Sequence, residues 1–544
     1  MASSFSAAAR EAMLAALPSA DLDLLVVGGG ITGAGVARDA ALRGLHVALV
    51  ERVDFAAGTS SRSSKLIHGG VRYLEQGDVG LVREAARERA VLRRIAPHLT
   101  VPLPLVMPTY GRAQQAKLAA GLWAFERIAT LPAGDRHATW DRDEALRHEP
   151  TLDGTRLHGA VAFTEYLTDD ARLVLDTVRG AHEAGALCVN HAEATALAAA
   201  AGGMEVTVRD ALSGVERRLR ARVVVNAAGP WVDEVRRRAG ALAGPRLHLT
   251  KGIHLVVPHE RLPVANIVVM QARDRRSAFA IPRGAFTYLG TTDTDWGPPV
   301  DQPEITGADA DYLLEAAART FAGPPPARAD VVAAWAGLRP LLHQEGKRPS
   351  EISRKDEIMT AGETGLVSIA GGKLTTYRRM AERVVDLVVG RLGRSAGPCR
   401  TATVLLRNGE LAPEELLVLG NTLRQRLPQL PAGAAERLVR LYGAGCMRLL
   451  ERVAARPAAG EILPGLRGVL RAEIEQALEE EMALTLEDLL DRRTRLLLFD
   501  RRQGLEGAEA VAAIAAAHLG WDAARTAAEI DAYRRLAANL LRFP

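Results

Sequence analysis

Cysteine is almost absent: Cys188, Cys399 and Cys446 are the only three in 544 residues. They stand far apart, with no CxxC pair and no metal-ligand spacing. That argues against a disulfide framework and a zinc site, no metal is expected, and a reducing, cytoplasmic compartment fits best. Long apolar runs are missing too, so no segment reads as a membrane span. The most apolar N-terminal stretch, Leu22 to Ala37, carries Asp23 and five glycines. Residues 1–20 lack the basic start and long apolar centre of a signal peptide. They read as a leader that can form a short helix from about Ser6 to Leu17, with Ala8, Met13, Leu14 and Leu17 on one side. A frayed leader is the plainer expectation, and a membrane anchor the alternative. No long run of one charge sign marks a nucleic-acid-binding arm.

What is present is ordinary for a globular chain: 48% hydrophobic and 25% charged residues, with a formal net charge of +4. The length exceeds what one compact core holds, so two domains or more are expected. The slight positive balance permits an anionic substrate or membrane surface and demands neither.

The first motif is a strand, a turn, a helix and a strand. Residues Leu22 to Val27 form an apolar run, followed by Gly28-Gly29-Gly30-Ile31-Thr32-Gly33. A helical stretch to Arg43, a closing Gly44, a second strand at His46 to Val50 and the acid Glu51 complete it. Gly28 allows the tight turn, Gly30 lets the backbone approach a diphosphate, and Gly33 lets helix and strand pack closely. The helix N-terminus offers unpaired N–H groups to the anion. Glu51 is placed to accept hydrogen bonds from an adenosine ribose. The motif alone does not separate FAD from NAD. The next stretch starts to, because residues 58–73, rich in serine, glycine and cations, suit a ribityl diphosphate better than a further strand–helix unit.

That stretch, GTSSRSSKLIHGGVRYLEQGD from Gly58, resembles the flavin-dependent glycerol-3-phosphate dehydrogenases, within the wider D-amino-acid-oxidase-like group. EYLTDDARLVL from Glu165, VVVNAAGPW from Val223, KGIHLVVP from Lys251, LGTTDTDW from Leu289, WAGLRPLL from Trp335 and GGKLTTYRRMAE from Gly371 resemble the same family. The likeness runs from about Leu22 to Val389 and resumes at LTLEDLLDRRTRL from Leu484. It implies an α/β fold: a Rossmann-like FAD-binding domain, a β-sheet substrate-binding cap and a helical C-terminal domain. The expected division is a leader over 1–20, an oxidoreductase domain over 21–400 and a C-terminal domain over 401–544. FAD-binding parts are expected at about 21–80, 170–245 and 335–395, with the cap between them.

The resemblance places the cofactor contacts in four segments. Gly28, Gly30, Ile31, Thr32 and Gly33 form the first, with Glu51 and Arg52 after the second strand. The hydroxyl-rich loop supplies Thr59, Ser60, Ser61, Ser63, Ser64, Lys65, Leu66, His68, Gly69 and Gly70. Ala228 and Gly229 lie on the adenosine side. Gly372, Lys373, Leu374, Thr375 and Thr376 open a late helix aimed at the flavin, where its dipole would favour negative charge near N1.

It also implies the reaction: oxidation of sn-glycerol 3-phosphate to dihydroxyacetone phosphate, with hydride transfer to FAD. Arg339, Arg354, Arg72 and Tyr73 are the candidate phosphate ligands, since guanidinium groups pair with phosphate oxygens. Thr292 joins them as a hydrogen-bond donor, with Thr291 beside it. His254 is the candidate base, because its pKa lies in a useful range, and Arg339 would polarise the alcohol. A quinone is the expected electron acceptor, as the chain has no long central insert of the kind seen in some oxidase members. Alternatives are an oxidase using dioxygen and a related amine or amino-acid oxidase. The basic pairs Arg492-Arg493, Arg501-Arg502 and Arg534-Arg535 suggest a peripheral contact with anionic lipid on the inner face of the membrane; a solvated helical face explains them equally well. The resemblance leaves room for a homodimer. In the C-terminal region, Leu417, Leu423 and Leu427, then Ala435, Leu438 and Leu441, have the spacing of amphipathic helices.

Overall fold

The computed structural model describes residues 5–68, 79–129, 135–242, 246–301, 303–343, 356–360 and 365–543. Its organising element is the strand Leu22–Val27, every residue of which is buried. A strand covered on both faces must be apolar throughout, and such strands pair in parallel. It pairs in parallel with Val47–Val50 on one side and Glu216–Asn226 on the other. Leu187–Val189 and Leu366–Ala370 extend the parallel sheet at its two ends. Glu357–Thr360 adds an antiparallel edge, and Ala192–Ala200 and Gly203–Asp210 form an antiparallel meander on Glu216–Asn226.

Helices Ile31–Leu42, Asp170–Glu183 and Tyr377–Leu392 pack side by side against this sheet. Their approach is close: a side chain at Gly35 would meet the Tyr377 ring at 3.0 Å and Ala381 at 3.1 Å.

A second sheet has ten strands. Its long strand Leu247–Pro258 carries Ala333–Leu342 on one side and Phe286–Gly290 on the other. From there the sheet runs through Ser277–Arg283, Ile267–Gln271, Val101–Thr109 and Gly159–Leu167 to the short strand Leu66–Ile67. That last strand belongs to the hydroxyl-rich loop, so the second sheet begins where the cofactor segment ends.

Beyond Pro413 the described chain is helical, ending with Ala523–Leu540. Part of it has its own core of Leu423, Leu438, Leu441 and Leu449. The remainder shares a core with the second sheet, where Leu489, Leu497 and Leu498 join Val256, Tyr288 and Trp335. Burial of this kind contributes roughly 25 cal/mol per Å² of apolar surface, so the last helices are bound to the sheet as firmly as to one another. Leu417 does not take the inward place its spacing suggested. It is 74% exposed, because helix Pro413–Arg426 buries the neighbouring ridge Leu416, Leu419 and Leu423.

The N-terminal segment is docked rather than frayed. Helix Ala7–Ala16 is capped by the Ser6 hydroxyl and buries Met13 and Leu14. Arg10, 1% exposed, donates to the carbonyls of Asn190 and His191 and to Asp210 at 2.9, 3.1 and 2.5 Å. These bonds tie the helix to the sheet. No helix among the described residues is long and apolar enough to cross one.

Candidate active site

A cleft of 570 Å³ opens at the C-terminal ends of the parallel strands, where ligands of such sheets bind. Gly28, Gly30, Ile31 and Thr32 line it. Gly28 has φ +110°, and a side chain at Gly33 would meet the Gly28 carbonyl at 1.9 Å. Only glycine at both positions lets the helix start directly under the turn. Gly33 therefore lies beneath the cleft, not in its wall. The Ser60 hydroxyl accepts from the Ile31 amide at 3.0 Å.

Glu51 lies in the same wall, accepting from the Gly29 and Val53 amides at 2.7 and 3.0 Å. Burial raises its pKa, and the two amides pull the other way. Arg52 stacks over the Trp231 ring at 4.5 Å and pairs with Asp301, which also accepts from the Trp231 indole. Ala228, Gly229, Gly372, Lys373 and Leu374 complete the lining, with Thr59 and Ser63. A rim of glycine and alanine backbone, an exposed helix N-terminus and one carboxylate fit a long dinucleotide that carries a diphosphate.

The rest of the hydroxyl-rich loop faces away from this cleft. Ser61 is fully buried, Leu66 pairs with Leu167, and Lys65 is buried with its ammonium on Asp170 at 2.9 Å and the Ser61 carbonyl at 2.8 Å. Burial lowers the Lys65 pKa to about 7 against the pull of Asp170. Lys65 is thus an internal ion-pair partner, not a cation offered to a diphosphate. Thr375 bonds both the amide and the carbonyl of His68 at 3.2 Å, which links the loop to the late helix. The Thr376 hydroxyl donates to the Lys373 carbonyl at 3.4 Å.

The second sheet grips the outer side of this loop. Thr59 donates to the Leu338 carbonyl at 2.6 Å, Trp335 to the Ser63 carbonyl at 3.2 Å and Tyr288 to the Ser64 carbonyl at 2.9 Å. Ser64 meets the His254 imidazole, Oγ to Nε2, at 2.9 Å. His254 is buried and stacked on Trp335, with ring centroids 4.7 Å apart; its Nδ1 has no hydrogen-bond partner among the described residues. Burial, with Lys65 and Arg339 nearby, holds its pKa well below 6.5, so the ring is neutral at physiological pH. Gly290 sits opposite His254 in the sheet, and a side chain there would meet the imidazole at 2.0 Å.

Arg339 stands on the paired strand four residues beyond Trp335, the partner of His254, and lies opposite Thr250. It donates to Thr291 Oγ1 at 2.9 Å, the Thr292 carbonyl at 3.1 Å and Asp293 at 3.1 Å. Its neighbour Pro340 lines the cofactor cleft. Thr292 differs from expectation: it is buried, and its hydroxyl accepts from the Ile253 amide at 3.1 Å. Thr291 is the threonine whose side chain meets Arg339. Gly69, Gly70, Arg72, Tyr73 and Arg354 fall outside the described residues.

A profile described as FAD dependent oxidoreductase matches residues 23–378, and one described as C-terminal domain of alpha-glycerophosphate oxidase matches residues 399–526. The chain belongs to this FAD-dependent oxidoreductase family. Within the family it stands with the aerobic glycerol-3-phosphate dehydrogenases. It is 40% identical to the one from Bacillus subtilis over 91% of both chains, and 36% identical to the one from Staphylococcus aureus over 96% of this chain and 95% of that one. The solved structure of the glycerol-3-phosphate dehydrogenase from Bacillus halodurans, complexed with FAD, superposes with a TM-score of 0.83 at 34% identity, covering 99% of each chain.

The hydroxyl-rich loop is also held from outside its own sheet. Here the support comes from the C-terminal segment Asp488–Arg495, which the basic-pair reading had turned toward lipid. Arg492 and Arg493 are buried, and both bond Asp54 at 2.6 Å. Arg492 also holds Asp488 at 2.7 Å. Asp491 accepts from Arg62 of the loop at 2.6 Å, and Arg495 reaches Asp170 at 3.2 Å. Burial alone would raise the Asp491 carboxyl, but Arg62, Arg492 and Arg495 hold it far below its ordinary value. Asp54, Asp488 and His191 converge closely enough to suggest a metal site, but arginines take both carboxylates. The other basic pairs also meet carboxylates: Arg501 pairs with Glu260 and Arg534 with Glu509. Sequence reasoning missed this network and the Trp231–Arg52–Asp301 wall, although Trp231 and the DLLDRRTR run both lie in the motifs that resemble the family.

Proposed function

We propose that the protein oxidises sn-glycerol 3-phosphate to dihydroxyacetone phosphate and passes the electrons to a quinone. The substrate reading rests on the names of its relatives, which are glycerol-3-phosphate dehydrogenases. The observation that carries the site is the placement of His254 against Ser64, with Arg339 on the adjoining strand, one loop away from the cofactor cleft.

Gly28, Gly30, Glu51, Ser60 and Gly372 would hold FAD, which when bound supplies the acceptor for the hydride leaving C2 of the alcohol. The chain's own residues do the remainder. Neutral His254 takes the hydroxyl proton, and the Ser64 hydroxyl fixes its ring. A base of lowered pKa gives up that proton readily, so it is cleared between turnovers. Arg339, with Arg72, Tyr73 and Arg354, binds the phosphate and orients the alcohol. Thr291 and Asp293 fix the Arg339 fork, so less side-chain freedom is lost on binding.

A quinone acceptor places the enzyme at the inner face of the cytoplasmic membrane, as a peripheral protein. The test is the visible spectrum. Anaerobic glycerol 3-phosphate is expected to bleach the flavin bands, whereas an amino acid leaves them intact. A yellow colour that survives saturating substrate without air defeats the reading. Turnover with a soluble quinone analogue but not with oxygen alone identifies the acceptor; the reverse result makes the protein an oxidase.

A further inference from the structure

A second cavity, of 370 Å³, lies beside helices Val79–Ile95 and Arg112–Ala129 and shares no described lining residue with the cofactor cleft. Arg83, Arg87, Arg89 and Arg93 line it, against a single described carboxylate, Asp135. Like charges four residues apart on a helix repel, so both arginine pairs, 83 with 87 and 89 with 93, weaken the helix unless something negative meets them. Glu165 meets Arg89 on one nitrogen at 3.1 Å, while Asp135 lies only loosely by, 3.8 Å from Arg89 and 3.7 Å from Arg93.

The strongest sign is Arg89. It is 2% exposed; its Nη1 donates to the Thr164 carbonyl and to Glu165, while its Nη2 is buried with no hydrogen-bond partner among the described residues. A buried donor left without an acceptor destabilises the fold, more so when charged, and an anion in the cavity would supply the acceptor. The guanidinium groups of Arg89 and Arg93 also stack over Tyr166, at 5.3 and 5.7 Å, which holds both beside the cavity.

We propose that this cavity is an anion site for a phosphoryl group. Several guanidinium forks on one concave surface match phosphate oxygens better than carboxylate or halide. The same chemistry serves free phosphate and the headgroup of an anionic phospholipid, and the experiment separates them.

Calorimetric titration of the FAD-loaded protein with inorganic phosphate is compared with that of the variant Arg83→Gln/Arg87→Gln. The wild type is expected to bind one more equivalent than the variant, with an unchanged KM for glycerol 3-phosphate. Co-sedimentation with phosphatidylglycerol vesicles, set against phosphatidylcholine vesicles, forms the second arm. Loss in the phosphate arm supports a free phosphoryl ligand, and loss in the vesicle arm alone supports a headgroup. Equal binding by wild type and variant in both arms overturns the proposal. Asp135→Asn provides an independent check. Removing that carboxylate should tighten binding about threefold, in the range of a partly exposed charge pair; no tightening also overturns the proposal.

Discussion

The two ends of the cofactor region are built by opposite means. At the diphosphate end the wall is backbone: the glycine turn of residues 28–33, the start of helix Ile31–Leu42 and the small residues Ala228 and Gly229. At the proposed substrate end the groups are side chains, His254, Ser64, Arg339 and Thr291, drawn from separate strands and a loop. A backbone site tolerates few changes, since any side chain fills it. A side-chain site tolerates shape changes, but it depends on the elements that bring its members together.

The sharpest way to break the first end is Gly33→Val. With the Gly28 carbonyl 1.9 Å from where a Cβ would be, the turn and helix must separate. The expected outcome is loss of FAD, read as a colourless purified protein. Retained yellow colour would show that the turn is not the diphosphate site.

Next in size is a change remote from both ends. Arg493→Ala leaves Asp54 and the Glu481 carbonyl without one of their buried donors. Removing one partner of a buried pair costs roughly 3–5 kcal/mol. Denaturant unfolding should show this loss, accompanied by faster FAD release. A stability change below 1 kcal/mol would show that the C-terminal segment does not brace the cofactor loop.

Smaller again, and confined to the substrate end, is His254→Ala. Its turnover is expected to fall about a hundredfold, at the low end for a lost general base, with little change in phosphate affinity. Unchanged turnover would place the base elsewhere.

The smallest effect is one of pH. In the proposed reaction His254 acts as the neutral base, the form present above its pKa, and burial, Lys65 and Arg339 push that pKa below 6.5. Turnover should therefore hold through neutrality and fall only as pH drops below 6.5. An acid limb centred above 6.5 would contradict the buried, neutral imidazole.

These outcomes also measure how much was legible beforehand. The glycine turn, Glu51, the small residues after Val225 and the late Gly371–Thr376 junction were readable because each is local: strand, turn and helix follow one another within a few residues. The inward turn of Thr292 was not readable, since Thr291 and Thr292 look alike until the sheet register decides which faces Arg339. Leu417 failed for a similar reason: its spacing fits two adjacent helical ridges, and only packing selects Leu416, Leu419 and Leu423. Arg492 and Arg493 looked like a surface patch because their partner, Asp54, is more than four hundred residues away in sequence.

Taken alone, the order of residues determined a dinucleotide turn, its helix and its acid, because glycine φ angles and strand periodicity act over short distances. The tertiary structure decided the neighbours: that Lys65 lies on Asp170, that Ser64 meets His254, and that the last domain holds the cofactor loop through buried arginines. Those pairings depend on which surfaces lose water together, and that is settled only when the whole chain has packed.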